Sequence, residues 1–252
     1  MPEIAEVRTV KDALKKRILN RKIIDIKYRY DGIIKSDKKE FKNVLIGSTF
    51  KDIRSIGKWL IFDLGEYSFL SHLRMEGKYY IKPTSEEYEK HEHIIFNLDN
   101  NYDLRYKDVR KFGVMILVKT KDIYLLEEIK KLGIEPDNDS LTKEYIYNKI
   151  KKSNKPIKEL LLDQTIINGL GNIYVDEVLF ESKINPTRIG SSITLEECDE
   201  IRKSSSKIIK KATKEGGTTI RSYTSSLGVI GNYQNYLKVH TKENKYSYYY
   251  WI

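Results

Sequence analysis

The sequence predicts an α+β protein: a β-sandwich or barrel-like domain behind a single N-terminal helix, followed by a helical domain. Three observations predict it. Apolar residues at the start recur every three or four positions, the next hundred residues break into short runs separated by turn signals, and the pattern then turns helical. The 252 residues are 40% hydrophobic and 11% aromatic, enough apolar material for a buried core, which excludes disorder as the main state. No apolar run approaches the ~18 residues needed to cross a bilayer, and the N-terminus lacks a signal-peptide layout. Cys198 is the single cysteine, so neither an internal disulfide nor a four-cysteine metal site can be built from this sequence. These features together lead to the expectation of an intracellular protein.

Pro2 opens the first helix, where its missing N–H costs nothing, and Ile4, Val7, Val10, Leu14 and Ile18 form its apolar stripe. Short β-like runs follow at Ile23–Tyr30, Thr49–Ile56, Trp59–Leu64, Phe69–Arg74, His93–Leu98, Tyr102–Lys107 and Phe112–Val118. Asp31-Gly32, Leu64-Gly65, Glu76-Gly77 and Asn100-Asn101 punctuate them as turns. Helices are expected at Tyr124–Leu132, Thr142–Lys151, Pro156–Leu162, Ile173–Ser182 and Leu195–Lys214. Thr194 with Glu197 three residues on reads as a capping box for the last of these. Gly216–Asn232, rich in Gly, Ser and Thr, reads as a loop, and Tyr236–Ile252 as the start of a β-hairpin that stops early. The expected domains are 1–122, 123–235 and a short remnant at 236–252.

The formal charge is +10, from 46 basic and 36 acidic side chains. Between Lys203 and Lys245 nine Lys/Arg face two glutamates, a local net of +7, interleaved with Tyr223, Tyr233 and Tyr236. Such a stretch suits phosphate binding through ammonium groups, hydroxyls and backbone N–H, although a merely solvated face explains the charge equally well.

Eight segments carry a family resemblance, in order and through nearly the whole chain. They are Met1-Pro2-Glu3-Ile4-Ala5-Glu6-Val7, Gly57-Lys58-Trp59-Leu60, His72-Leu73-Arg74-Met75-Glu76-Gly77 and Lys90-His91-Glu92-His93. Asp108-Val109-Arg110-Lys111-Phe112-Gly113 follows, then Lys158 through Asp163-Gln164-Thr165. The last two are Gly169-Leu170-Gly171-Asn172-Ile173-Tyr174-Val175-Asp176-Glu177 and Gly216-Gly217-Thr218-Thr219-Ile220-Arg221. Together they resemble the formamidopyrimidine-DNA glycosylase (Fpg/Nei) family, bacterial repair enzymes for oxidised purines. The resemblance implies a β-sandwich domain with an N-terminal catalytic helix, and a helical domain with a helix–two-turn–helix motif.

It also implies a chemistry. Removal of Met1 would leave Pro2 with a free secondary amine, and an α-amino group titrates near about 8 against about 10.4 for lysine. A useful fraction is therefore neutral and can attack a sugar C1′ to give an iminium, the Schiff base of a combined glycosylase and AP lyase. Outside this context Pro2 would merely start a helix. Glu3 resembles the proton donor to the opening sugar ring, Glu6 one turn on can orient the site, and a pair of nearby carboxylates raises one pKa for general-acid work. An acidic first turn favoured by the helix dipole is the simpler explanation of their charge. Lys58 resembles the lysine that binds the lesion phosphate, where a turn lysine is otherwise simply solvated.

A base must leave the duplex to be cut, and its place must be filled. Met75, Arg110 and Phe112 match the family's wedge; Met75 and Phe112 would otherwise be ordinary core. Gly169 and Gly171 allow backbone amides to approach a phosphate, with Asn172 expected to cap the following helix and touch the same phosphate. Lys158 matches a lysine near the lesion, Lys152 is a weaker phosphate contact, and His91 matches a DNA-contacting histidine. His91 and His93 alone supply too few ligands for a metal, so none is expected there. Ser222–Asn232 corresponds to the loop that closes over an everted 8-oxoguanine.

Two positions depart from the family pattern. Ala5 stands where proline is usual, and at Lys245–Ile252 Ser247 and Tyr250 occupy the cysteine positions of the family's zinc finger. Serine and tyrosine cannot replace the thiolates of a structural zinc site. The expectation is an absent or truncated zinc finger, no encoded cofactor and a missing finger arginine, whether from a truncated gene product, a frameshifted copy or a different tail.

The function expected is base-excision repair of 8-oxoguanine and formamidopyrimidines by β,δ-elimination. The alternative is a catalytically impaired DNA-binding remnant. An RNA- or ribosome-binding basic protein also fits the composition but leaves Pro2-Glu3 unexplained. Damaged double-stranded DNA is the expected partner, with no membrane, a monomeric state and a bacterial cytoplasmic location.

Overall fold

The computed structural model describes residues 1–218, 231–240 and 242. By its own contacts the chain falls into two compact units. One holds residues 1–2 and 6–130; the other holds residues 3–5, 131–218 and the described residues from 231 onward.

In the first unit, helix α1 (Ile4–Ile18) is followed by β1 (Ile23–Tyr28), α2 (Lys38–Leu45), β2 (Asp52–Ile56), β3 (Trp59–Asp63) and β4 (Tyr67–His72). Then come β5 (Lys78–Pro83), β6 (Glu92–Leu98), β7 (Tyr102–Lys107) and β8 (Val114–Lys119). The strands form two four-stranded sheets, ordered β1-β6-β7-β5 and β2-β3-β4-β8, with every neighbouring pair antiparallel. Both sheets bury their inner faces in one core, which makes a β-sandwich. Phe62 stacks on Phe69 at 4.4 Å and Phe69 on Phe96 at 5.3 Å, so one aromatic column crosses from sheet to sheet. Val7, Val10, Leu14 and Ile18 of α1 join this core, as their spacing predicts.

Two elements were not expected. α2 is capped by the Asp37 side chain accepting from Glu40 N, and it buries Phe41 and Leu45. β5 reads Lys-Tyr-Tyr-Ile-Lys-Pro, whose lysines and terminal proline mask its pairing with β7. Three expected strand ends move for local reasons. β1 stops at Tyr28, β2 starts only at Asp52, and the run expected from Phe69 to Arg74 ends at His72, because Arg74 adopts φ +54° and donates its N–H to His72 Nδ1 at 3.0 Å.

Arg105 is fully buried. Its guanidinium pairs with Glu92 (3.1 Å) and Asp103 (3.0 Å), themselves fully buried, and donates to the carbonyls of Pro83, Glu86 and Glu87. One cation therefore satisfies the backbone of the segment between β5 and β6, which leads into His91.

The helix expected over Tyr124–Leu132 is replaced by a 3-10 turn, Thr120–Leu125, and a single-turn helix α3 (Glu127–Lys130). Leu126 lies between them in extended conformation, φ −63° and ψ 132°, which breaks the run.

In the second unit, α4 (Lys143–Ile150) is capped by Thr142, and α5 (Ile157–Leu162) starts after Pro156. α6 (Asn172–Glu181) and the 20-residue α7 (Leu195–Lys214) follow, the latter with the expected Thr194/Glu197 capping box. Between α5 and α6 Gln164 does the stitching: its amide donates to the carbonyls of Leu162 and Leu170, and its oxygen accepts from Gly169 N. The core gathers Ile146, Ile150, Leu161, Tyr174, Val178, Cys198, Ile201 and Ile209. Tyr233–Tyr236 is a short 3-10 helix where the hairpin was expected to begin, and Lys245–Ile252 lies outside the described residues.

Phe69 sits at the middle of the aromatic column with no exposed surface. Phe69→Ala should destabilise the protein by about 3–5 kcal/mol in urea unfolding, the usual cost of emptying a filled aromatic site.

Candidate active site and DNA-facing residues

Met1 is exposed, Pro2 is buried, and Glu3 is 3% exposed. The Glu3 carboxylate accepts from three backbone amides at the start of α6: Gly171 at 2.6 Å, Ile173 at 3.0 Å and Tyr174 at 3.3 Å. Ile4 N donates to Gly169 O at 3.1 Å, and Ile4 and Ala5 are packed in the helical core. Residues 3–5 therefore count with the second unit, while α1 from Glu6 onward counts with the first. The amides at a helix start have no partner within the helix, so an acceptor with negative charge is stabilised there.

This corrects the expectation for Asn172. It is the exposed first residue of α6, the cap position is Gly171 with no side-chain bond, and Glu3 takes the amides that Asn172 was expected to cap. The glycines have a steric reason as well. A Cβ on Gly171 would lie 2.5 Å from the Glu3 carboxyl carbon, and one on Gly169, at φ +101°, 2.8 Å from Ile4.

Lys58 follows Gly57 (φ +54°) in the turn between β2 and β3, yet it is only 5% exposed. A buried lysine is uncommon and marks the turn as more than a solvated connection. Trp59 pairs in register with His72, their rings edge-on at 4.9 Å. His72 Nδ1 accepts the Arg74 amide, so in this state its proton sits on Nε2. Burial, helped by the charges of Arg74 and Lys58, pushes its pKa down to about 3, and the ring stays neutral. The turn it supports carries Met75, 40% exposed.

Phe112 is 53% exposed, and the Arg110 guanidinium lies 4.8 Å from its ring centroid. Neither is core, so the ordinary fate of a strand phenylalanine does not apply here. The strand expected from Phe112 begins only at Val114. His91 is half-buried with φ +69°, and His93 is buried with Nε2 on the Asp108 carbonyl at 2.9 Å. In the second unit Lys158 forms an ion pair with Asp176 at 2.7 Å, and Lys152 is exposed. Glu6 is 5% exposed.

Two family models match the chain: the formamidopyrimidine-DNA glycosylase N-terminal domain over residues 1–115, and the formamidopyrimidine-DNA glycosylase H2TH domain over residues 132–224. The formamidopyrimidine-DNA glycosylase of Ligilactobacillus salivarius is 45% identical over 93% of this chain and 85% of that protein. That of Oceanobacillus iheyensis is 39% identical over 97% and 88%. The Lactococcus lactis Fpg solved with abasic-site DNA superposes with a TM-score of 0.88 at 39% identity, covering 93% of this chain and 86% of that one. A mutant of the same enzyme with Fapy-dG DNA gives 0.89 at 39% identity, over 94% and 87%.

The chain belongs to the formamidopyrimidine-DNA glycosylase family.

Within that family frame, the first unit brings Lys58 near His72 and sets Arg110 beside Phe112, and the second seats Glu3 on α6. Lys152 joins none of these groups through a described contact. Four residues that organise the site were given no role from sequence: His72, Asp108, Gln164 and Asp176. All four lie inside the quoted segments: His72 at the end of β4 and Asp108 after β7 are buried, and Gln164 and Asp176 are half-buried, with only their place in those segments as a signal. The loop Ser222–Asn232 falls outside the described residues up to 230. The family's structural zinc does not fit the residues of this sequence. Its single thiol, Cys198, is buried in the helical core with its pKa pushed up to about 12 by burial. Among the described residues no three His, Cys, Asp or Glu side chains gather as a metal site, and no helix is long and apolar enough to cross a membrane.

Gly171→Ala should lower stability by about 1–3 kcal/mol in urea unfolding, because the new methyl displaces the Glu3 carboxylate and strands buried amides. His72 has an ordinary value of 6.5 and a folded value of about 3. The unfolded chain therefore binds a proton that the folded one refuses, so stability should fall as pH drops from 6.5 toward 3. Chemical unfolding of His72→Gln across that window should show a shallower acid limb.

Proposed function

We propose that this chain is a DNA glycosylase and AP lyase of base-excision repair that removes oxidised purines, with the amine of Pro2 as nucleophile. The observation that carries this reading is the Pro2-Glu3 start, with Glu3 held by three amides so that the residue before it is held as well. Family membership and the solved relatives bound to damaged DNA support it.

The chemistry runs as follows. With Met1 removed, the Pro2 nitrogen attacks C1′, the glycosidic bond breaks, and the base leaves with a proton. Glu3 is the proton donor that opens the sugar ring, and the resulting iminium acidifies the C2′ proton. Loss of that proton expels the 3′ phosphate, and a second elimination expels the 5′ phosphate, so one nitrogen–carbon bond stands in for two strand cuts until hydrolysis frees Pro2. Lys58 holds the lesion phosphate. Met75, Arg110 and Phe112 fill the vacated space, Arg110 pairing with the orphaned cytosine, while Asn172, His91, Lys158 and Lys152 grip the backbone. Glu6 orients the reacting groups.

In this reading residues 1–122 carry the chemistry and 123–235 hold the duplex. The partner is damaged double-stranded DNA in the bacterial cytoplasm, bound by a monomer. The missing finger thiols motivate the impaired-remnant alternative, and the family match along most of the chain weighs against it.

Borohydride trapping tests the reading, on a duplex with 8-oxoguanine opposite cytosine and on an abasic duplex. The expected result is a covalent adduct on both that disappears in Pro2→Gly. A folded wild-type protein that gives no adduct on either duplex sinks the proposal.

A further inference from the structure

Asp108 lies immediately after β7 and is 1% exposed, yet the reaction just described gives it nothing to do. Its carboxylate spends its hydrogen bonds on the backbone of the loop that follows. One carboxylate oxygen accepts from Arg110 N at 3.1 Å and the other from Gly113 N at 2.8 Å. Its carbonyl accepts from Lys111 N and from His93 Nε2, and its own N–H donates to His91 O at 3.0 Å. The buried Asp108 carboxylate thus closes the loop that carries Arg110 and Phe112, while the Asp108 backbone N–H ties the base of that loop to His91.

Beyond these bonds the loop is held by the Lys111 ammonium, 4.4 Å from the Tyr30 ring centroid. Val109, Arg110, Lys111 and Phe112 are all exposed, and Lys111 stands at φ +59°. Without anchors at its base, such a segment would sample many conformations, and ordering it on DNA would cost binding energy. With the carboxylate in place, the Arg110 amide and the Gly113 amide are fixed. The guanidinium-over-ring pair between them is therefore presented before DNA arrives. Gly113 leaves no slack, since a Cβ there would stand 1.8 Å from the Tyr106 hydroxyl.

We propose that Asp108 is a positioning residue that pre-sets the Arg110–Phe112 wedge and its register with His91, and so governs capture of a damaged base in duplex DNA. The inference rests on the wedge role assigned to Arg110 and Phe112 above. It leaves the Pro2 chemistry untouched. An asparagine at 108 keeps the shape but turns one acceptor into a donor, so one of the two loop amides loses its partner and faces an NH2 group.

The test compares two substrates. Base excision from a duplex with 8-oxoguanine opposite cytosine needs the wedge; cleavage of a single-stranded abasic oligonucleotide does not. Asp108→Asn should slow the first in single turnover by about tenfold or more and the second by less than about twofold. In an Arg110→Ala/Phe112→Ala background the same change should cost little further, since the wedge is already gone. Equal loss on both substrates, no loss on either, or a fully additive cost in that background overturns the inference. A wild-type protein inactive on both substrates sinks the glycosylase reading itself, which is a different failure. If Asp108→Asn does not fold, hydrogen exchange on the unaltered protein decides. The Arg110 and Gly113 amides should exchange more slowly than those of Val109 and Phe112, and one common rate for all four overturns the proposal.

Discussion

The Glu3 carboxylate seated in the start of α6 is the contact on which the order of the first residues depends. It joins a charge to three backbone donors that nothing inside the helix can satisfy, so removing either side leaves a buried group without its partner. The glycines at 169 and 171 make room for it, and the Ile4 amide on the Gly169 carbonyl extends it into a short two-way strap. Chain ends are ordinarily the loosest part of a fold. Here the third residue is fixed, and the Pro2 amine three bonds before it inherits that order. In the role proposed for Pro2, an amine held this way forfeits little freedom when its target arrives.

The sandwich unit repeats the same tactic three times. Arg105 gathers the carbonyls between β5 and β6, His72 accepts the Arg74 amide below Met75, and Asp108 closes the loop below Arg110 and Phe112. In each case a buried polar side chain satisfies loop backbone that strand pairing has left over. The tips above these anchors are exposed and partly apolar, a combination that a free surface does not favour and a binding surface requires. Rigid bases with exposed tips let the side chains meet a ligand without first being ordered.

Much of this was legible in the sequence because it follows from periodicity and caps. The α1 stripe, the Leu195–Lys214 helix with its capping box, and the Tyr102–Lys107 strand came out as expected. What was not legible was long-range. That Asn172 would yield its capping role to a residue 169 positions earlier depends on tertiary packing, which no local window contains. α2 did have a local signature, Asp37 before Glu40 with Phe41 and Leu45 behind, but lysines diluted its apolar stripe. β5 was hidden by charged residues that pair across the sheet instead of facing a core. The residues proposed to act on a ligand could be named from motifs, whereas His72, Asp108 and Gln164 bond to backbone and gave no such signal.

The distribution of sulfur has a consequence for a protein that handles oxidised DNA. The only thiol, Cys198, is buried in the helical core with its pKa raised to about 12, so it presents almost no thiolate to a peroxide. Of the three methionines, Met115 is buried, whereas Met1 and Met75 are exposed, Met75 at the tip of its turn. The oxidants that damage guanine can therefore reach this protein's sulfur at Met1 and at Met75, on the turn after β4. A sulfoxide at Met75 would turn a greasy tip polar, and methionine sulfoxide reductase would restore it. Under the wedge role proposed for Met75, oxidative stress would thus raise the number of lesions while reversibly blunting the side chain that displaces them.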